Sequence, residues 1–154
     1  MIIIRELRED DIDNACEELK SYLEESNINY KMPKKWSLKE AQEMLFNGIN
    51  NSESLCLGAF SDKQILGIFC MATFKNFMED YKTGVEVVWH VNPKLVRFRK
   101  SKIMYLLLET AQNWAKFNNI KKLMLGVPHK SSLAKSLFKR GFFVEDLILK
   151  KEVL

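Results

Sequence analysis

Apolar positions along the chain change period several times, and each change marks an element. Ile2, Ile3 and Ile4, followed by Arg5-Glu6-Leu7, predict a short opening strand. From Ile12 the spacing turns helical. Ile12, Ala15, Cys16, Leu19, Tyr22 and Leu23 share one face, and Asp10 or Asp11 is placed to cap it. Residues 26–36 are polar and contain Pro33, which predicts a loop. Ser37-Leu38-Lys39-Glu40 has the form of a capping box, and Leu38, Ala41, Leu45 and Ile49 carry a second helix to about Asn50. Two strand-like runs, 55–60 and 65–74, flank Ser61-Asp62-Lys63-Gln64 and predict a hairpin. A polar loop over 75–83 precedes a strand at 85–91, which Asn92-Pro93 stops. A long helix is expected over about 101–118, burying Met104, Leu107, Leu108, Ala111, Trp114 and Ala115. A strand at 121–127, a short helix at 132–140 ended by Gly141, and a last strand at 142–153 complete the pattern.

The order β-α-α-β-β-β-α-β-α-β predicts an α+β fold, a three-layer arrangement with a mixed central sheet flanked by helices, in one domain spanning residues 1–154. A chain of 154 residues that is 47% hydrophobic is long enough to bury a core. No apolar run approaches the roughly 18 residues of a membrane span, and the first five residues do not form a signal peptide, so a cytoplasmic protein is expected. The three cysteines, Cys16, Cys56 and Cys70, are far apart in sequence and set among apolar residues, which predicts reduced core thiols. Cysteine and histidine spacings fit no metal site.

Charge changes this picture. Residues 1–80 carry 9 basic and 15 acidic side chains, whereas residues 81–154 carry 15 basic and 5 acidic. Lys94, Arg97, Arg99, Lys100 and Lys102 fall within nine residues that contain no acid. Such a run attracts an anion or forms a solvated surface; nucleic acid is the less favoured anion. Its position favours a ligand, because it directly precedes the long helix, whose N-terminal N–H groups are an anion site. The β-α-β segment 85–127 is therefore the expected ligand-binding part. No phosphate-loop or dinucleotide fingerprint occurs. With two histidines, His90 and His129, and no Gly-x-Ser-x-Gly elbow, a Ser–His–Asp hydrolase is not expected.

The run Glu86-Val87-Val88-Trp89-His90-Val91-Asn92-Pro93, leading into a basic turn and long helix, resembles the GCN5-related N-acetyltransferase (GNAT) family. The resemblance extends from the first strand to Arg140-Gly141-Phe142. Where family members carry Arg/Gln-x-x-Gly-x-Gly/Ala, this chain has Arg99-Lys100-Ser101-Lys102-Ile103-Met104, without the glycines and similar to a phage-associated branch. The resemblance implies acetyl-CoA as cosubstrate. It places the pantetheine arm along His90, Val91 and Asn92, and the phosphates near Arg97, Arg99, Lys100, Ser101, Lys102, Ile103 and Met104. It also implies that Glu86 is a general base for the acceptor amine, aided by its apolar neighbours. His90, four residues on, is expected on the same strand face as a second base or substrate contact. The family's acid, often a tyrosine, is replaced by Phe138. Two functions stay open: N-acetyl transfer to a small-molecule or peptide amine, or a GNAT-like fold that only binds partners through its basic half. Tyr30, Trp36 and Phe77 are expected to wall the acceptor site, a homodimer is compatible with the resemblance, and nothing predicts a membrane partner.

Overall fold

The computed structural model describes residues 1–27, 35–128, 130–145 and 151. The predicted loop at 26–36, with Tyr30 and Pro33, therefore lies largely outside the described residues, as does His129. The last expected strand is half outside them: 142–145 carry no strand, and 146–150 are not described. Met1–Met124 and Leu125–Leu154 form two compact units.

In the first unit, β1 (Ile3–Glu6), α1 (Ile12–Asn27), α2 (Leu38–Ile49), β2 (Ser54–Ser61), β3 (Gln64–Lys75), β4 (Lys82–Val91), α3 (Arg97–Phe117) and β5 (Ile120–Met124) follow one another. Among the described residues the strands form a five-stranded sheet in the order β1-β2-β3-β4-β5. The first three pairings are antiparallel and β4–β5 is parallel. This is the mixed-sheet α+β architecture that the sequence predicts.

α1 follows a short 3-10 turn in which Asp11 accepts from the Arg8 amide at 2.8 Å and takes both arms of the Arg5 guanidinium at 2.7 and 2.9 Å. The Arg5 guanidinium holds the Asp11 carboxyl below its usual range. α2 begins on Ser37, whose hydroxyl accepts from the Glu40 amide at 3.3 Å, as its capping signature predicts. These two helices cover one face of the sheet. Leu7, Ala15, Cys16, Leu19, Leu45, Cys56, Ile68, Cys70 and Val88 form the core beneath them. The three cysteines, distant in sequence, converge there as free buried thiols, and Cys56 lies directly opposite Cys70. Burial raises the Cys16 thiol pKa.

α3 covers the other face through Ile103, Leu107, Leu108 and Ala111, all essentially buried. Gly67 makes this contact possible. A Cβ there would come within 3.0–3.2 Å of the His90 carbonyl, Ile103 and Leu107. The helix starts four residues before the expected Ser101, so Arg97–Lys100 form its first turn.

In the second unit, α4 (Ser132–Lys139) is capped by Ser131, which accepts from the Ala134 amide at 3.1 Å. It ends with Gly141 at φ +91°. There Gly141 N–H reaches the Phe138 carbonyl and Phe142 N–H reaches the Leu137 carbonyl, both at 3.1 Å, the paired bonds of a Schellman cap. Nothing lies within 4 Å of a Cβ at this position, so its cost is purely conformational. Gly141→Ala is expected to destabilise α4 by about 1 kcal/mol, read as faster amide exchange at residues 137–142 with the first unit unaffected.

Candidate cofactor cleft and its supports

β4 pairs with β3 along its whole length, but β5 stays beside it only as far as Val85, whose partner is Met124. From Glu86 to Val91 the second edge of β4 has no strand beside it among the described residues. Over Val87–Val91 the outward backbone N–H and C=O groups meet no neighbouring strand among the described residues, the condition in which a strand edge can take an extended ligand.

Where the strands part, β4 bulges. Cys70 opposes Val88 and Met71 opposes Glu86, leaving Val87 as the extra residue, half exposed. A bulge bends and twists its strand, which suits a strand leaving its neighbour. It also moves every later side chain to the other face. Glu86 shares a face with Met71 and His90 shares one with Ile68; these β3 residues are three apart, so they point to opposite sides. The expectation that Glu86 and His90 lie on one face is thus corrected: the extra residue breaks the alternation on which it rests. Glu86 is half-buried on the α3 side at the first position past the last β5 pairing.

His90 lies under α1, with 3% of its side chain exposed. Its Nε2 is 3.1 Å from Glu18 Oε1, and its ring centroid is 4.9 Å from that of Tyr22. The second oxygen of Glu18 accepts from Asn92 Nδ2 at 3.2 Å. Glu18 is the functional-region residue that the sequence reading misses. A signal exists: Ala15, Glu18 and Tyr22 lie on one helical line within the apolar stripe, where a carboxylate needs a buried partner.

Past Val91 the chain turns into α3. The helix N-cap is Val96, with no side-chain cap, and no acid occurs in the first turn. Both features contrast with α2, which has a serine cap and an acidic first-turn residue. Arg97, Arg99 and Lys100 instead surround the positive end of the helix dipole, an arrangement that an anion would stabilise. The Lys100 amide is already bonded to the Val96 carbonyl at 3.0 Å, so the first-turn amides without a partner among the described residues are those of Arg97, Phe98 and Arg99. The Arg99 guanidinium also reaches Ser61 Oγ at 3.4 Å, next to the β2–β3 turn. Ser101 and Lys102 are exposed in the second turn, while Met104 is half-buried. Ile103 is fully buried against Gly67, so its side chain is part of the core.

One more donor stands on the open half of β4. Trp89 packs edge-on against Phe69 with centroids 6.0 Å apart, and its buried Nε1 has no hydrogen-bond partner among the described residues. Of the expected acceptor-wall aromatics, Trp36 packs against the α1–α2 core and Phe77 is 95% exposed on the β3–β4 loop. Among the described residues no cluster of His, Cys, Asp and Glu is arranged to hold a metal, and no helix is long and apolar enough to cross a membrane.

A mixed five-stranded sheet whose fourth strand leaves the fifth at Val85 and then turns into a basic, uncapped helix N-terminus places the chain among the α+β folds. The chain belongs to the GNAT family of acetyltransferases: the model of that family matches residues 15–142. Solved structures agree on the fold. A ribosomal-protein-alanine N-acetyltransferase from Brucella melitensis superposes with a TM-score of 0.75 at 16% identity, covering 100% of this chain and 98% of that one. A protein described as a predicted acetyltransferase of Clostridium acetobutylicum, solved with acetyl-CoA, gives 0.75 at 22% identity over 99% and 96%. An aminoglycoside acetyltransferase from an uncultured soil sample, solved with sisomicin, gives 0.72 at 12% over 99% and 96%. No curated protein sequence matches the chain.

Proposed function

We propose that the protein transfers the acetyl group of acetyl-CoA to a primary amine. The observation that carries this reading is the parting of β4 from β5 at Val85, after which the unpaired half of β4 and the turn beyond Val91 lead into the basic first turn of α3. The residues fit the cosubstrate. The edge of β4 over Val87–Val91 offers backbone groups to the pantetheine arm, and Trp89 Nε1 adds a donor that has no partner among the described residues. The first-turn amides of Arg97, Phe98 and Arg99, with the side chains of Arg97, Arg99 and Lys100, answer the negative charge of the phosphates. Bulkier side chains replace the glycines usual in the family, so charge takes a larger part than close backbone approach.

When bound, acetyl-CoA supplies a thioester carbonyl that a neutral amine attacks, forming the amide and releasing the thiol. Glu86 is the proposed acceptor of the amine's proton, because it stands where the strands part. His90 is committed to Glu18 and Tyr22 and acts as an anchor rather than a base. Phe138 has no proton to give, so the released thiolate is protonated from water. Neighbouring structures include enzymes named for a ribosomal-protein alanine and for aminoglycosides. The acceptor here is likewise placed in the amine class, as a small molecule or a peptide.

Incubation with labelled acetyl-CoA and a panel of polyamines, aminoglycosides and peptides is expected to give acetylated amine. Saturating acetyl-CoA is also expected to raise the unfolding temperature, because a ligand at a hundred times its Kd adds about 2.7 kcal/mol. Stabilisation without acetylation of any amine would instead support a partner-binding GNAT fold that no longer catalyses.

A further inference from the structure

The turn between β4 and α3 is organised by one residue. The Asn92 amide donates to the Leu66 carbonyl at 2.8 Å, and its own carbonyl accepts from Leu95 N–H at 3.3 Å. Its side-chain Oδ1 accepts from Lys94 N–H at 3.0 Å. Pro93 follows, with its φ already set for a turn. Asn92 Nδ2 faces away from this turn and donates to Glu18 Oε2, while Glu18 Oε1 meets His90 Nε2. The amide orientation is dictated by its neighbours: only oxygen serves the Lys94 N–H, and only nitrogen serves the carboxylate.

Glu18 is itself 9% exposed, and both of its oxygens are spent on the strand end and the turn. A carboxylate is costly to bury, and this one lies on the core-facing line of α1, where an alanine or leucine would pack. What the carboxylate adds is a two-point hold across 72 and 74 residues of sequence, from α1 to the end of β4 and to the turn that aims α3.

We propose that Glu18 is a positioning residue for the cofactor site. By gripping His90 and Asn92 together, it fixes the 92–95 turn and so the direction in which the first-turn amides and basic side chains of α3 are presented. This inference rests on the reading of that helix start as the CoA phosphate site. Glu18 touches no substrate; it acts through Asn92.

The chemistry of the grip permits a polarity exchange. Asn92→Asp keeps the acceptor for Lys94 N–H but sets two carboxylates face to face. Adding Glu18→Gln to that variant restores one donor between them. The new side-chain amide on α1 can donate its N–H to the new carboxylate at the turn, while its oxygen receives the His90 N–H. Full-length wild type, N92D and E18Q/N92D are to be compared by calorimetric titration with CoA, by steady-state kinetics and by thermal unfolding. Glu18→Leu, which removes both bonds but keeps apolar bulk, provides a variant without new charge. N92D and E18L are expected to weaken CoA binding roughly tenfold. The KM for acetyl-CoA should rise in parallel, with kcat at saturation changed by less than about twofold. E18Q/N92D is expected to return to within about threefold of wild type. A purely structural role would lower the unfolding temperature without moving KM and kcat apart.

CoA affinity unchanged in folded N92D and E18L overturns the inference and leaves the cofactor reading intact. A double variant that folds yet binds as weakly as N92D overturns it as well. If N92D and E18L do not fold, the double variant decides by itself: wild-type affinity supports the grip and weak affinity overturns it. Absence of CoA binding by wild type overturns the cofactor reading, and this inference with it.

Discussion

Glu86→Gln is expected to lower the rate of amine acetylation by roughly 10²–10⁴-fold at neutral pH, with acetyl-CoA affinity unchanged. The substitution keeps size and hydrogen-bonding reach and removes only the ability to take a proton. Because Glu86 is half-buried just beyond the last β4–β5 pair, replacement leaves the core untouched. The deficit has a characteristic pH dependence. At neutral pH the acceptor amine is mostly protonated and needs the base. As pH rises toward the amine's own pKa, the neutral amine becomes abundant and the difference from wild type shrinks. A Glu86→Gln protein as active as wild type at neutral pH would move the base role elsewhere. A deficit constant across pH would mean that Glu86 orients substrate without taking its proton.

The second large effect concerns the start of α3. Replacing Arg97, Arg99 and Lys100 together by glutamine is expected to weaken CoA binding by roughly 10²–10³-fold at low salt. The remaining binding should depend less steeply on ionic strength. The same triple variant is expected to be no less stable than wild type, and more stable by up to about 1 kcal/mol, because it removes cations from the positive end of a helix. Opposite signs for affinity and stability are the signature of charges placed for a ligand. Loss of both together would mark the basic turn as structural, and unchanged affinity would give these side chains another purpose. Titration with CoA at several salt concentrations, alongside denaturant unfolding, reads both quantities.

Much of this was legible from periodicity. The capped start of α2, the hairpin at Ser61–Gln64, the strand stopped by Asn92-Pro93 and the glycine cap of α4 all rest on local rules, and local rules survive folding. The start of α3 was misplaced because cap rules look for a side-chain acceptor. Ser101 offers one, whereas the helix begins uncapped after Val96, in residues with good helical propensity. Within β4, the three consecutive apolar residues Val87-Val88-Trp89 are the trace of the bulge, but sequence does not say which of them is the extra one. One residue of uncertainty is enough to move His90 to the opposite face from Glu86. The Glu18 grip was invisible for a different reason. Its partners are more than seventy residues away, and Glu17-Glu18 reads as an ordinary solvated pair unless the helical line Ala15–Glu18–Tyr22 is weighed. The cysteines show the same principle, since Cys56 and Cys70 meet through strand register and Cys16 joins them through the packing of α1 rather than through spacing.

The central claim is that one cosubstrate lies along the open edge of β4 and ends its phosphates on the first turn of α3. Backbone amide exchange, resolved to single residues with and without acetyl-CoA, tests it most directly. The account predicts that acetyl-CoA slows exchange at outward-facing amides among residues 86–91 and at Arg97, Phe98 and Arg99, while β1, α2 and the β2–β3 hairpin strands stay unchanged. Saturating acetyl-CoA that leaves both segments exchanging as in the unliganded protein, or protects a different surface, would contradict it.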